Sequence, residues 1–153
     1  ATGAQVYIHA DDAPIISDGQ PLRPLIPAPG LLNRLMFNLL IKPNLSKGAV
    51  AQCPVDLHLV DEAELSIGGG LRVIHTPGHS QGHVVFLWRD VIILGDAAFN
   101  VRGLGEPIGY EDVATGRASL ERIAGLEFEN AVFGHGGPML GGAGAKFRRK
   151  WGP

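Results

Sequence analysis

The sequence predicts a mixed α/β (α+β) domain, a mixed β-sheet with helices on one face. Three observations carry this. Apolar runs at residues 71–75, 83–88 and 91–94 follow one another closely, the last two joined by a tight Arg89-Asp90 hairpin. A helical pattern at 112–124, closed by Gly125, is followed by another short apolar run at 131–133. Three of these runs end on glycine-bearing turns that each carry a histidine or an aspartate.

The elements follow in order. Residues 4–9 (Ala-Gln-Val-Tyr-Ile-His) read as a buried strand, rich in β-branched and aromatic side chains. Residues 11–29 hold five prolines and predict an extended surface connection. Residues 31–41 form a short apolar helix stopped by Pro43; its apolar positions wrap more than one face, so it should lie against a pocket, a partner or a second copy. Residues 56–60 alternate and read as a half-buried strand, 64–67 as a short edge strand, and Gly68-Gly69-Gly70 as a turn. Residues 95–110 read as glycine-rich loop. The helix at 112–124 turns Leu120, Ile123 and Ala124 inward, with Gly125 as its C-cap. Residues 141–144 read as flexible and 145–151 as a last helical turn. The basic run 146–150 is its solvated face.

Length and composition narrow the class. At 153 residues and 16.2 kDa, one domain spanning 1–153 is expected. Hydrophobic content of 45% and charged content of 18% fit a globular protein rather than a disordered one. A net charge of −2 offers no footprint for nucleic acid or an anionic membrane, so neither is an expected partner. Cys53 stands alone, which excludes an intrachain disulfide and suits a reducing compartment. No apolar run approaches the roughly 18 residues of a membrane span. A basic-then-apolar leader is not visible either, so a cytoplasmic protein is expected.

Chemistry concentrates at the strand ends. Pro77 and Gly78 force a turn after residues 71–75 and lift His79 out of the sheet. Asp96 follows the almost wholly apolar 91–95, where an unpaired carboxylate is costly to desolvate. His135 sits between Gly134 and Gly136, which permit close approach of backbone or ligand. Each also has a plainer reading: a loop histidine, an Asx-turn, a turn histidine. Together, imidazole plus carboxylate is a ligand set for zinc, manganese or non-haem iron. His83 and His75 are candidates to support such ligands from behind, although structural roles are the better expectation for both. His9 and His58 read as structural.

The blocks His75-Thr-Pro-Gly-His79-Ser-Gln-Gly-His83, Gly95-Asp96 and Gly134-His135-Gly136 resemble the later metal motifs of the metallo-β-lactamase superfamily. Their spacings, 17 residues from His79 to Asp96 and 39 from Asp96 to His135, are ordinary for its smaller members. The resemblance implies a partial or complete αββα sandwich, with the site at one edge between two sheets. It implies that His79 is a ligand of a first metal, that Asp96 bridges two metals and is the catalytic carboxylate, and that His135 is a ligand of the second. Two zinc ions are the implied cofactor, with iron or manganese as alternatives. The implied activity is hydrolysis of an ester, thioester, lactone or lactam by metal-bound hydroxide, on a small-molecule substrate.

The family's His-x-His-x-Asp-His run occurs nowhere in the 153 residues. That leaves one histidine per metal plus a shared carboxylate, where zinc normally takes three or more protein ligands. The chain is therefore expected to be inactive by itself. Three accounts follow: a C-terminal fragment of a longer hydrolase, favoured because Ala1 lies almost at a family strand; one half completed by another chain; or a degenerate, non-catalytic interaction module. A half-sandwich exposes an apolar sheet face, predicting a homodimer or pairing with the missing N-terminal half.

Overall fold

The alternating strand pattern builds a five-stranded sheet. The computed structural model describes residues 3–45 and 50–153. The sheet is ordered β4-β5-β6-β7-β9, from β4 (Glu64–Leu65), β5 (Leu71–His75), β6 (Val84–Trp88), β7 (Val91–Ile93) and β9 (Asn130–Val132). The first four strands form an antiparallel meander. The pairing of β7 with β9 is parallel, so a long crossover must join them. That crossover carries β8 (Gly109–Tyr110) and helix α3 (Val113–Ala124).

Alternation divides the sheet residues between two faces. Ile74, Val85, Ile92 and Ala131 face α3 and α4 (Ala143–Trp151) and are fully buried. They meet Leu120, Ile123 and Ala124 of α3 and Phe147 of α4 in one apolar cluster. Phe147 sets its ring edge-on against Phe128, centroids 5.3 Å apart, with Trp151 beyond at 5.0 Å. Each fully buried side chain of this size contributes about 1.5–3 kcal/mol, so this layer is the main apolar stabilisation. The opposite face carries Phe86, Trp88, Val91, Ile93 and Val132, which are only half-covered; Ile93 is 37% exposed.

Several sequence expectations need correction. The strand at 4–9 shortens to β1 (Tyr7–His9), half-buried rather than buried, and it pairs in parallel with β3 (Leu57–Leu59) outside the main sheet. The connection at 11–29 is not wholly extended. It holds helix α1 (Ala13–Ser17), with Pro14 in the first turn where its missing N–H costs nothing, and β2 (Ile26–Pro27), which pairs with β8. Residues 141–144 are not a free hinge. Ala143 and Gly144 already belong to α4 and are buried, and a Cβ on Gly144 would stand 2.5 Å from the Phe128 carbonyl oxygen. The last helix is thus nine residues long, not a single turn.

Other expectations hold closely. Helix α3 starts after Asp112, whose carboxylate accepts the Thr115 N–H at 2.7 Å. Gly125 closes it with right-handed backbone, φ −79°, rather than the left-handed cap. The apolar helix comprises α2 (Leu31–Met36) running into a π-helical turn (Phe37–Ile41). Phe37 is buried against Gly109, where an added Cβ would meet its ring at 2.9 Å. Leu31, Leu32, Leu35, Leu39 and Leu40 on the same run are exposed. No helix among the described residues is long and apolar enough to cross a membrane.

Candidate metal centre

The turn after β5 is seated on the start of α3. Gly78 has φ +135°, and a Cβ there would lie 2.2 Å from the Gly116 Cα. Only glycine allows this approach. The Gly78 carbonyl accepts the N–H groups of Glu111 and Asp112 at 2.8 and 3.0 Å, and Ser119 Oγ donates to the Pro77 carbonyl at 2.7 Å. This fixes the base of His79. Its Nδ1 donates to the Gly109 carbonyl at 3.0 Å, which leaves the Nε2 lone pair facing the cleft.

Asp96 reaches the same place from the end of β7. Gly134 makes room for it: a Cβ on Gly134 would stand 2.5 Å from Asp96 Oδ1 and 2.9 Å from the Gly95 carbonyl oxygen. The two loops are tied by Gly134 N–H donating to Gly95 O at 2.7 Å and Asn100 N–H to His135 O at 3.0 Å. The Asp96 carboxylate lies between two imidazoles, with Oδ2 3.7 Å from His79 Nε2 and Oδ1 3.6 Å from His135 Nε2. These separations are too long for hydrogen bonds. They approach the roughly 3.4 Å between two donors that share one ion at about 2.1 Å and a tetrahedral angle. Asp96 Oδ1 is buried and has no hydrogen-bond partner among the described residues. A buried carboxylate oxygen in that condition is costly unless a cation completes it. The donor set therefore fits metal. Because each nitrogen faces a different oxygen, the arrangement suits two ions, each offered one nitrogen and one oxygen by this chain.

His83 stands behind the carboxylate. Its Nδ1 pairs with Thr76 Oγ1 at 2.9 Å, and its Nε2 accepts the Asp96 backbone N–H at 3.2 Å. Burial, with repulsion from His79, pushes its pKa down to about 4, so it stays neutral and keeps that acceptor lone pair at neutral pH. His75 sits farther back. It donates from Nε2 to the Gln81 carbonyl at 2.8 Å and so bears on the His79 loop rather than on His79, Asp96 or His135 directly.

Sequence reasoning missed the residues that clamp this loop. Asp12, the residue before α1, accepts Ser80 Oγ at 2.6 Å and the Gly82 N–H at 3.0 Å instead of capping its own helix. Glu111 accepts the Gln81 N–H at 2.8 Å. Arg23 bridges the two acids, donating to Glu111 Oε2 at 2.8 Å and pairing with Asp12. The one available signal was Asp12-Ala13-Pro14, a helix-start pattern.

A second cluster was also missed. His9, Asp11 and His75 place one ligand atom each within 4.8 Å of one another. The two imidazoles, however, are stacked, centroids 3.9 Å apart and 10° from parallel. Lone pairs of parallel rings lie in parallel planes and cannot converge on one ion without unstacking. His75 Nε2 and His9 Nδ1 are moreover already engaged, the latter by the Asp11 N–H at 3.3 Å.

Above the carboxylate lies a cleft of about 350 Å³, lined by Leu25, Ile41, Phe99, Val101 and Ile108 together with His79, Asp96 and His135. It is an apolar chamber with its polar groups gathered on one wall.

No family model matches the chain. A probable metallo-hydrolase, YflN of Bacillus subtilis, is 29% identical over 155 residues, covering 89% of this chain and 56% of that protein. The hydroxyacylglutathione hydrolase of Xylella fastidiosa strain M23 is 37% identical over 67 residues, 43% of this chain and 25% of that protein. The chain thus spans from a quarter to a little over half the length of these curated relatives. Among solved structures, an archaeal metallo-β-lactamase superfamily protein from Sulfolobus tokodaii superposes with a TM-score of 0.65 at 22% identity, covering 95% of this chain and 56% of its own. The di-iron-bound form of TTHA1623 gives 0.56 at 22% identity, covering 99% and 65%. The chain thus has the fold of a metallo-β-lactamase superfamily protein and is similar in sequence to a metallo-hydrolase and a hydroxyacylglutathione hydrolase.

Proposed function

We propose that this chain carries one half of the metal centre of a metal-dependent hydrolase. His79 would hold one ion and His135 the other, with Asp96 available to both as the catalytic carboxylate. Zinc is the proposed pair of ions, with iron or manganese equally suited to the donors. The observation that carries the reading is the buried, unpartnered Asp96 Oδ1 between two imidazole nitrogens at 3.6 and 3.7 Å. The relatives support it: one is named a metallo-hydrolase, one a hydroxyacylglutathione hydrolase, and a structural neighbour is in a di-iron form.

Bound there, a metal pair supplies an activated water and polarises the scissile carbonyl of an ester, thioester, lactone or lactam. This chain's residues do the positioning. Gly109 O fixes the His79 tautomer, and neutral His83 holds the Asp96 backbone. Phe99, Val101 and Ile108 give the cleft an apolar side for the substrate's hydrocarbon part. The remaining ligands come from a His-x-His-x-Asp-His segment outside this sequence. It docks on the half-covered sheet face of Phe86 and Ile93, and the isolated chain hydrolyses nothing efficiently.

The test is metal content after dialysis, for this chain and for a parent protein bearing that segment. The parent should hold two ions per chain and hydrolyse a small ester, and Asp96→Asn should remove both properties. Unchanged metal content and turnover in Asp96→Asn would sink the reading. Tight stoichiometric metal in this chain as a monomer would refute the incomplete ligand set.

A further inference from the structure

A second cleft, of about 610 Å³, adjoins the first. Leu25 lines both, and the run from α2 through the π-helical turn supplies Ile41 to one and Lys42 to the other. The floor of the second cleft is Phe37; Arg34 and Lys42 stand on its rim, and no acidic residue lines it. Neither cation has an acidic partner among the described residues, whereas Arg23, the third cation there, is already held by Asp12 and Glu111. The sequence explains the sign. From residue 19 to residue 55 it contains no aspartate or glutamate and four basic residues, Arg23, Arg34, Lys42 and Lys47, although the whole chain carries −2. A cationic cleft with apolar walls on an acidic protein concentrates anions.

We propose that this cleft is an anion subsite for the substrate of the neighbouring metal centre. The substrate class is then an amphiphilic acyl compound, with an apolar part over Asp96 and a carboxylate or phosphate on Arg34 and Lys42. The assignment rests on the hydrolase reading for what happens at Asp96, but the binding it describes needs no metal. Arg gives a flat two-pronged donor set and Lys a mobile point charge, so the pair accommodates either anion.

Binding of octyl phosphate, octanoate and octanol to the full 153-residue chain, below micelle-forming concentration and without metal, tests this by amide NMR titration. The two acids should bind about tenfold more tightly than octanol, the sum of two exposed charge contacts. Amide shifts should move both at Arg34 and Lys42 and at Phe99 and Val101. Arg34→Ala with Lys42→Ala should remove the preference and leave octanol binding unchanged, and Arg34→Glu with Lys42→Glu should reverse it. A preference for one acid alone supports the subsite and identifies its anion. Equal affinity for octanol, a preference that survives the double alanine variant, or shifts confined to one cleft would overturn it. Metal uptake is measured separately, so the hydrolase reading and the anion preference can each fail alone.

Discussion

Gly134→Ala is the sharpest probe of how Asp96 is seated. The new methyl would stand 2.5 Å from Asp96 Oδ1 and 2.9 Å from the Gly95 carbonyl oxygen. The first distance is roughly 1 Å inside ordinary contact. The Gly134 backbone is not left-handed, so the penalty is the collision itself, and the β7–β9 ladder limits how far Gly95 can retreat. Overpacking of this kind costs about 1–3 kcal/mol. For a domain of this size that lowers the melting temperature by about 3–10 °C. Gly137→Ala is the matched control: its Cβ meets nothing within 4 Å, so it should be neutral or gain up to about 1 kcal/mol. Thermal melts by circular dichroism read both. Combining Gly134→Ala with Asp96→Ala should recover part of the loss, because it removes the carboxylate oxygen from the collision. A Gly134→Ala protein that melts within 1 °C of its parent, roughly the resolution of such a comparison, would refute the close seating of the two loops.

Phe147→Ala should cost about 3–5 kcal/mol in urea unfolding, because the ring is fully buried against Phe128 and Trp151; a loss below about 1 kcal/mol would mean α4 is not part of the core. The Asp112 carboxyl is held below its usual range, first by the Thr115 N–H it accepts at the start of α3. Its contribution is therefore complete above the unfolded value near 3.8 and lost as pH falls through the lower folded value. Asp112→Asn keeps an acceptor without the titration, so its acid-unfolding limb should be shallower, and an identical limb would count against the cap. The half-covered sheet face should make the isolated chain self-associate in sedimentation experiments, and Ile93→Asp should weaken that association; a monomer at high concentration would contradict the expectation.

The legible part of the site follows from short-range chemistry. His79, Asp96 and His135 each close a strand beside a glycine, and alternation sends those strands into one sheet. That was enough to expect the three side chains at a common edge. The clamp of Asp12, Arg23 and Glu111 was not legible, because an ion pair across 88 residues leaves no local spacing to read. Prolines hid α1: their density reads as a breaker, while one proline in a first turn is a starter. Glycine likewise hid the start of α4. Gly144 looks flexible by propensity, yet it is the residue that lets the helix settle on the Phe128 carbonyl. In both places tertiary contact outweighed local preference.

The parallel pairing of β7 with β9 has a consequence for how the centre comes into being. The antiparallel meander joins β5 through β7 by short connections and can close early, bringing His79 and Asp96 together. His135 follows β9, which docks only after the chain has travelled through β8 and α3. Contact order therefore favours building the His79 side of the carboxylate before the His135 side. Whatever loosens the β7–β9 seam should therefore release His135 while leaving His79 and Asp96 in place.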